Sequence, residues 1–214
     1  MIYNLGSLNI DYVYDVDNFV KAGETISSES MSVFPGGKGL NQSVAISRAG
    51  SQVIHGGKIG SGGDFLIGIL KESGVDVSRI EKTDGTSGHA IIQVDKNGEN
   101  CIMIFPGTNR QITAEYIDAF LADAKRGDIL LMQNETNMLD YAFKTAREKE
   151  MRIAFNPSPF DDKILTLPLN YVDWWFCNET EAAMLFGSDD ISEIKNRFLS
   201  LYPASSLVLT LGKN

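Results

Sequence analysis

Cysteine and histidine are scarce in this sequence. The 214 residues contain two cysteines, Cys101 and Cys177, and two histidines, His55 and His89. Two cysteines are too few for a disulfide scaffold, and neither has a histidine at zinc-ligand spacing. Both cysteines are therefore interpreted as packing residues. Neither histidine has the serine, cysteine or aspartate neighbours of a catalytic triad, so we assign no catalytic role to them.

Long apolar runs and an excess of positive charge are also missing. No run approaches the roughly 20 apolar residues that a membrane-spanning helix needs, and residues 1–5 lack the basic region of a secretory signal. Nineteen basic against 28 acidic residues give a formal net charge of −9, which disfavours binding to polyanions. We therefore expect a cytoplasmic protein whose partners include neither a membrane nor a nucleic acid.

Short apolar runs alternate with amphipathic segments along most of the chain. This alternation predicts an α/β fold with a largely parallel sheet covered by helices. The predicted strands cover residues 1–5, 53–59, 129–132, 153–155, 174–177 and 207–211. The predicted helices cover residues 40–49, closed by Gly50, 64–73, closed by Gly74, and 114–125, behind a Thr113 cap and before Gly127.

A second pattern interrupts this alternation. Residues 89–95 and 99–105 are rich in isoleucine, valine, methionine and phenylalanine, and Lys-Asn-Gly at 96–98 lies between them. Because Asn-Gly is a strong hairpin signal, these segments predict an antiparallel ribbon. Residues 12–16 and 24–33 also lack helical periodicity, and we expect them to join the ribbon in a small second sheet.

Polar residues follow the predicted strands where those strands end. Ligands of open α/β sheets bind beyond the carboxyl ends of the parallel strands. Strand ends also need turn and cap residues, which explains any single segment without a ligand. Recurrence at five strand ends favours a binding site along this edge of the sheet. The segments are 6–11, 133–135, 156–159, 178–181 and 210–212.

The most informative segment is Pro-Gly-Gly-Lys-Gly-Leu-Asn-Gln at 35–42. Glycines permit close backbone approach, and free amides at a helix N-terminus favour anionic or strongly hydrogen-bonding ligands. Lys38 adds a cation, and Asn41 offers a donor and an acceptor for sugar hydroxyls. A glycine turn with a solvated lysine is the alternative interpretation. The spacing differs from that of a P-loop.

Asn178 and Glu181 are one helical turn apart at a predicted strand-to-helix junction. A carboxylate there can organise hydrated Mg²⁺ near phosphates, because Mg²⁺ prefers oxygen ligands and keeps several waters. The same spacing also fits a capping box in which Asn178 is the N-cap and Glu181 its partner. The two interpretations are compatible.

In this order, the segments resemble the ribokinase family of carbohydrate kinases across essentially the whole chain. Residues 36–42 are close to the ribokinase form of the family's first signature. Residues 6–11 resemble its N-terminal sugar-binding strand end, and residues 132–135 resemble the segment whose carboxylate contacts sugar. The resemblance implies one incomplete ribokinase-like α/β domain over 1–214. Segments near 12–34 and 88–106 would be inserted in it as a β lid that closes over sugar.

The activity implied by this resemblance is transfer of the γ-phosphoryl of ATP to a primary hydroxyl of a pentose. Ribose, converted to ribose 5-phosphate, is the first choice, and another sugar or a nucleoside is the alternative. The implied cofactors are ATP, Mg²⁺ and, in a full-length parent, a monovalent cation. A homodimer that pairs through the lid is also implied.

The resemblance further assigns roles to particular residues. Those implied around the sugar are Asn9, Asp11, Gly36, Gly37, Lys38, Asn41 and Glu135. Those implied at the nucleotide are Asn178, Thr210 and Gly212, with Mg²⁺ near Glu181.

One family feature does not occur in the 214 residues. Family members continue past a Thr-Leu-Gly segment to a Gly-Ala-Gly-Asp signature, whose aspartate is the catalytic base and whose amides form an anion hole. We therefore expect a C-terminally truncated chain with no catalytic base before Asn214. A noncatalytic fragment that binds sugar or pairs through its lid is the alternative to an active enzyme.

Overall fold

The computed structural model describes residues 1–212, which form two β-sheets and the helices that cover the larger sheet. The larger sheet has seven strands in the order β11-β10-β9-β8-β1-β4-β5, and all of its neighbouring strands are parallel. The smaller sheet has the order β3-β2-β6-β7. The strands are β1 (Ile2–Leu5), β2 (Asn9–Val16), β3 (Ser30–Gly36), β4 (Val53–Ser61), β5 (Asp76–Thr86), β6 (Gly88–Asp95), β7 (Asn100–Phe105), β8 (Ile129–Gln133), β9 (Arg152–Asn156), β10 (Trp174–Asn178) and β11 (Ser206–Thr210).

Helices α2, α4 and α5 directly follow strands β4, β8 and β10 of the large sheet, and α1 and α2 end within one residue of the predicted positions. They are α1 (Lys38–Arg48), α2 (Asp64–Glu72), α3 (Ala114–Phe120), α4 (Leu139–Glu148), α5 (Glu179–Phe186) and α6 (Ile191–Leu201). Short 3₁₀ helices occupy Gly107–Arg110, Asp162–Thr166 and Leu169–Tyr171. The α/β fold with a largely parallel sheet is confirmed. No helix in the described residues combines the length and apolarity that crossing a membrane requires.

Two apolar cores result from helices packed on both faces of the large sheet. Tyr3 and Leu5 of β1 pack in the core that includes residues of α3, α4, α5 and α6. Leu40 of α1 packs with Leu66 and Leu70 of α2 in the other core. Side chains alternate between the faces of a strand, so Asn4 of β1 reaches α1 instead, where its Nδ2 donates to the Gly39 carbonyl oxygen at 2.8 Å.

Three sequence expectations about local structure were wrong. Helix α3 ends at Phe120 rather than at residue 125. A turn begins at fully buried Leu121, whose carbonyl oxygen accepts from the Ala124 amide at 3.1 Å. Residues 24–29 form no strand, and β3 begins at Ser30. Cys101 lies exposed on edge strand β7, whereas Cys177 is buried as expected.

Strand β5 was not predicted from the sequence. Of its eleven residues, Asp76–Thr86, seven are exposed and five are charged, so they show no apolar alternation. Pairing with β4 nevertheless places them at the edge of the large sheet. The antiparallel ribbon predicted on either side of residues 96–98 is confirmed as β6 and β7.

Candidate active site

The turn after β1 and the start of α1 lie in close contact. Gly37, with a φ of 94°, precedes the first residue of α1. A Cβ atom on Gly39 would overlap the backbone of Gly6 and Ser7, so the close approach requires glycine at position 39. The glycine segment predicted from sequence therefore places the helix N-terminus directly on the turn between β1 and β2.

Ser7 and Glu135 cap this helix from outside it. The Lys38 amide donates to Glu135 Oε2 at 2.8 Å, and the Gly39 amide donates to Ser7 Oγ at 3.2 Å. The Leu40 amide donates to the Ser7 carbonyl at 3.0 Å, and the Ser7 hydroxyl donates to Glu135 Oε2. A carboxylate is favourable at the positive end of the helix dipole.

These contacts correct one sequence inference. Free amides were expected at the N-terminus of this helix, but the amides of Lys38, Gly39 and Leu40 each already have a protein acceptor. Among the described residues, both hydrogen bonds of the Glu135 carboxylate use Oε2. Oε1 is thus the Glu135 oxygen that can accept from a ligand.

Asp11 lies beside this carboxylate. Burial raises the pKa of the Asp11 carboxyl above its ordinary value, and the negative charge of Glu135 raises it further. A Cβ atom at position 36 would overlap the Asp11 carboxyl group, so a larger residue there would displace this carboxyl. Asp11 and Glu135 together form a strongly accepting surface that suits a ligand with several hydroxyl groups.

The raised pKa of Asp11 predicts a pH-dependent stability. The folded state binds the Asp11 proton more tightly than the unfolded chain does, so the free energy of unfolding should rise as pH falls through this pKa. Asp11→Asn should therefore be more stable than the original protein at neutral pH, and the difference should shrink as pH falls. Urea unfolding at several pH values measures this. Asp15→Asn, an exposed position on the same strand, is the control. A less stable Asp11→Asn at neutral pH would contradict the prediction.

Sequence reasoning missed Asn109. This residue lies in the 3₁₀ helix after β7 and is 2% exposed. Its Nδ2 donates to Asn9 Oδ1 at 2.7 Å, and its Oδ1 accepts from the Leu8 amide at 3.0 Å. Asn109 is remote from every motif in the sequence, so no local signal identifies it.

A buried polar network supports the site from beneath. Gln133 Nε2 donates to Asn4 Oδ1 at 2.9 Å and to Gln42 Oε1 at 2.7 Å. Asn4 also donates to Ser43 Oγ at 2.7 Å, and Ser43 Oγ lies 2.8 Å from His55 Nδ1. Burial lowers the pKa of His55 to about 4, so the ring is neutral at physiological pH. The network is a rigid support for the first turns of α1.

A cleft of about 310 Å³ lies next to the glycine segment. Two of its lining residues, Lys38 and Asn41, belong to the set implied for sugar. Three others, Asn178, Glu181 and Thr210, belong to the set implied for nucleotide and Mg²⁺. The two sets were assigned from separate segments, and the structure brings members of both into one space.

Other predicted residues lie outside the lining of this cleft. Asp11 and Glu135 form the acceptor surface, Asn9 lies on the same strand as Asp11, and exposed Gly212 does not line the cleft. Asn156 and Ser158, at the end of β9, do line it, and they belong to segment 156–159, one of the polar strand ends from which a binding site was predicted.

Glu181 takes part in a capping box. The Asn178 amide donates to Glu181 Oε2 at 3.0 Å, and the Glu181 amide donates to Asn178 Oδ1 at 2.8 Å. Within residues 1–212, no group of three histidine, cysteine or acidic side chains could hold a metal. A single carboxylate in a cleft with amide and hydroxyl oxygens still fits Mg²⁺, because this ion keeps several waters and binds phosphate oxygens.

Comparison with known proteins identifies the family. Residues 1–214 match the family described as pfkB family carbohydrate kinase. The chain belongs to this family. The match to the pfkB family includes both the glycine segment before α1 and the Asn178–Glu181 junction.

Ribokinases are among its relatives in the pfkB family. The ribokinase of Haemophilus influenzae is 34% identical over 202 residues, covering 89% of this chain and 65% of that protein. The ribokinase of Bacillus subtilis is 34% identical over 213 residues, covering 98% of this chain and 71% of that protein. The chain therefore spans about two thirds of the length of these curated relatives. A crystal structure of ribokinase from Cryptococcus neoformans in complex with ADP is similar, with a TM-score of 0.82 and 30% identity, covering 99% of this chain and 72% of that one.

Proposed function

We propose that this protein serves a kinase reaction in which the γ-phosphoryl of ATP is transferred to a primary hydroxyl of a pentose, with ribose as the sugar. The observation that carries the proposal is the cleft in which Lys38 and Asn41 meet Asn178, Glu181 and Thr210, beside the acceptor pair Asp11 and Glu135. An acceptor-rich surface suits a polyol, and a neighbouring cleft suits a nucleotide. The ribokinase relatives, one of them solved with ADP, support the same assignment.

The sugar would bind over the turn after β1. Asp11 and Oε1 of Glu135 would accept from sugar hydroxyls, while Lys38 and Asn41 would donate to them. Asn9 would lie at the same surface, and Gly36 and Gly37 would keep space and backbone geometry for it. A sugar that leaves a buried polar group of the site without a hydrogen-bond partner binds more weakly. A few contacts are therefore enough to discriminate among sugars.

The nucleotide would extend along the ends of β10 and β11. Asn178 and Thr210 would contact its phosphates, with Gly212 beyond them at the end of the described chain. Glu181 would hold Mg²⁺ through water, since one of its oxygens is committed to the capping box. Bound there, Mg²⁺ would neutralise phosphate charge. The monovalent cation and the cytoplasmic location stay predictions.

Calorimetry with the 214-residue protein tests the sugar assignment. Ribose should bind more tightly than fructose or inosine, which represent another sugar and a nucleoside. If fructose or inosine binds more tightly than ribose, that ligand replaces ribose as the proposed substrate. If none of the three binds, the proposed function is contradicted. Titration with ADP and Mg²⁺ probes the cleft separately.

Self-association through the small sheet is a further expectation. Exposed apolar side chains cover this sheet, and Met103 on β7 is 64% exposed. Edge strands with exposed apolar faces pair readily with another copy. We expect a dimer in sedimentation velocity, and Met103→Lys should weaken it by about tenfold or more in dissociation constant, because a desolvated charge would enter the interface.

Leu165→Lys is the matched control for this experiment. Leu165 is 56% exposed but lies in the 3₁₀ helix Asp162–Thr166, outside the small sheet. The control should leave the dimer intact. A monomer at high protein concentration, or equal loss of dimer in both variants, would rule out pairing through the small sheet.

A further inference from the structure

We propose that Asn109 is a positioning residue that fixes the Asn9 side-chain amide as a hydrogen-bond donor toward the sugar. The inference rests on the proposed function, because it concerns the same sugar site. It adds a residue from the connection between the small sheet and α3, and it assigns a hydrogen-bonding direction to Asn9.

The orientation of both amides follows from one unambiguous donor. The Leu8 backbone N–H can only donate, so the Asn109 atom 3.0 Å away is the acceptor Oδ1. Nδ2 of Asn109 then points at Asn9, at 2.7 Å. Because Nδ2 can only donate, the Asn9 atom that faces it is Oδ1. The amide nitrogen of Asn9 is thereby turned away from Asn109.

The other end of the Asn9 amide is available. In the part of the chain that the structure describes, no group accepts a hydrogen bond from Asn9 Nδ2. The neighbouring acidic groups, Asp11 and Glu135, are acceptors. A hydroxyl bound among these residues can therefore accept from Asn9 and donate its own proton to a carboxylate. An Asn9 amide in the opposite orientation would present its acceptor Oδ1 to that hydroxyl in place of the donor Nδ2.

Strand β6 of the small sheet begins directly against the side-chain amides of Asn9 and Asn109. A Cβ atom on Gly88, the first residue of β6, would overlap Nδ2 of Asn109 and Oδ1 of Asn9. The pair therefore fits only because residue 88 is glycine.

The segment that carries Asn109 also contacts the Glu135 loop. Arg110 Nη1 donates to the Thr136 carbonyl at 3.0 Å. The Ile112 amide donates to Asn137 Oδ1 at 3.0 Å, and Asn137 Nδ2 donates to the Ile112 carbonyl at 2.8 Å. Residues 109–112 thus touch both loops that carry the proposed sugar contacts, and they follow the last strand of the small sheet.

Ribose calorimetry on Asn109→Ala and Asn109→Asp tests the inference. Asn109→Ala removes the group that orients Asn9. Asn109→Asp keeps the size of the side chain but places an acceptor opposite Asn9 Oδ1, which should turn the Asn9 amide around. The loss of one oriented hydrogen bond should weaken ribose binding by roughly 3- to 10-fold in each variant. The isosteric aspartate variant keeps the test valid where the alanine variant folds poorly.

Thr108→Val is the matched control. Thr108 is fully buried in the same 3₁₀ helix, and its hydroxyl donates to the Lys58 carbonyl at 2.9 Å without touching Asn9. This variant loses a buried hydrogen bond and stability but should bind ribose within about twofold of the original protein. Thermal unfolding of each variant shows whether stabilities are matched.

A double-mutant cycle separates positioning from a purely structural effect. If Asn109 acts through Asn9, Asn9→Ala with Asn109→Ala should bind ribose no more weakly than Asn9→Ala alone. Additive losses, or Asn109 variants that bind as well as Thr108→Val, would overturn the inference while leaving the proposed function intact. Failure of the original protein to bind ribose, fructose or inosine would instead overturn the proposed function, and this inference with it.

Discussion

A polypeptide of these 214 residues, assayed by itself with ribose, ATP and Mg²⁺, should show no sugar-dependent release of ADP above background. Phosphoryl transfer depends on positioning the acceptor and ATP and on stabilising the charge of the transferred group. The resemblance to the family assigns the base and the anion hole to a Gly-Ala-Gly-Asp signature. That signature does not occur in the sequence. Loss of a general base removes about 10²–10⁴ in rate, and loss of anion-hole donors removes a comparable further factor.

The described residues offer no evident replacement for that base. The cleft contains one carboxylate, Glu181, which is 8% exposed and accepts from the Asn178 amide. On the sugar side, Glu135 caps α1. Asp11 is the remaining carboxylate near the proposed sugar, and its raised pKa reflects burial beside Glu135. In the proposed binding mode, both acidic groups on that side accept hydrogen bonds from sugar hydroxyls.

A coupled assay for ADP tests this prediction, with full-length Bacillus subtilis ribokinase as the positive control. Ribose calorimetry on the same preparation shows whether the polypeptide is folded and competent to bind. Binding without turnover would support the noncatalytic alternative for this polypeptide. Sustained ribose-dependent turnover within tenfold of the control would mean that Asp11, Glu135 or Glu181 acts as the base.

Removing the Glu135 carboxylate is expected to have the second largest effect. Glu135→Ala should weaken ribose binding by about 1.5–3 kcal/mol, because a charged hydrogen bond to the sugar is lost. It should also lower the free energy of unfolding by about 0.5–2 kcal/mol, since the Lys38 amide and the Ser7 hydroxyl lose their acceptor at the start of α1. Asp11→Ala should weaken ribose binding by a similar amount.

Two further variants make this prediction specific. Glu135→Gln keeps an acceptor for the helix amide but removes the charge. Compared with Glu135→Ala, it should therefore restore more of the lost stability than of the lost ribose affinity. Asp15→Ala changes an exposed acidic residue on the same strand as Asp11 and should leave ribose affinity unchanged. Calorimetry measures ribose affinity and urea unfolding measures stability for all four variants, Glu135→Ala, Glu135→Gln, Asp11→Ala and Asp15→Ala. Unchanged affinity in both Asp11→Ala and Glu135→Ala would eliminate the proposed pocket.

The capping box at Asn178 illustrates what local sequence can predict. Its partners are three positions apart, so both the box and a cleft-facing carboxylate could be derived from their spacing. The structure shows the box and also places Glu181 in the cleft, which makes the two interpretations compatible. The metal role of Glu181 stays a proposal, because helical spacing alone cannot distinguish a cap from a ligand.

Ser7 and Asn109 illustrate what local sequence cannot predict. Ser7 meets Glu135 across 128 positions of the chain, and Asn109 meets Asn9 across 100. Neither contact leaves a periodic or motif signal, because each depends on which loops the sheet order brings together. The same limitation explains why the helix amides were expected to be free for a ligand.

The sequence by itself determined six of the seven strands of the large sheet, the ribbon and the glycine segment, because these depend on side-chain periodicity and on backbone preferences within a few residues. Only the tertiary structure decided that β5 joins the large sheet, that α3 ends at Phe120 and that Cys101 is exposed. It also decided that Glu135 caps α1 while remaining beside Asp11. Parallel strand pairing brings distant strand ends to one edge, and burial there gives polar groups partners that neighbouring residues cannot provide.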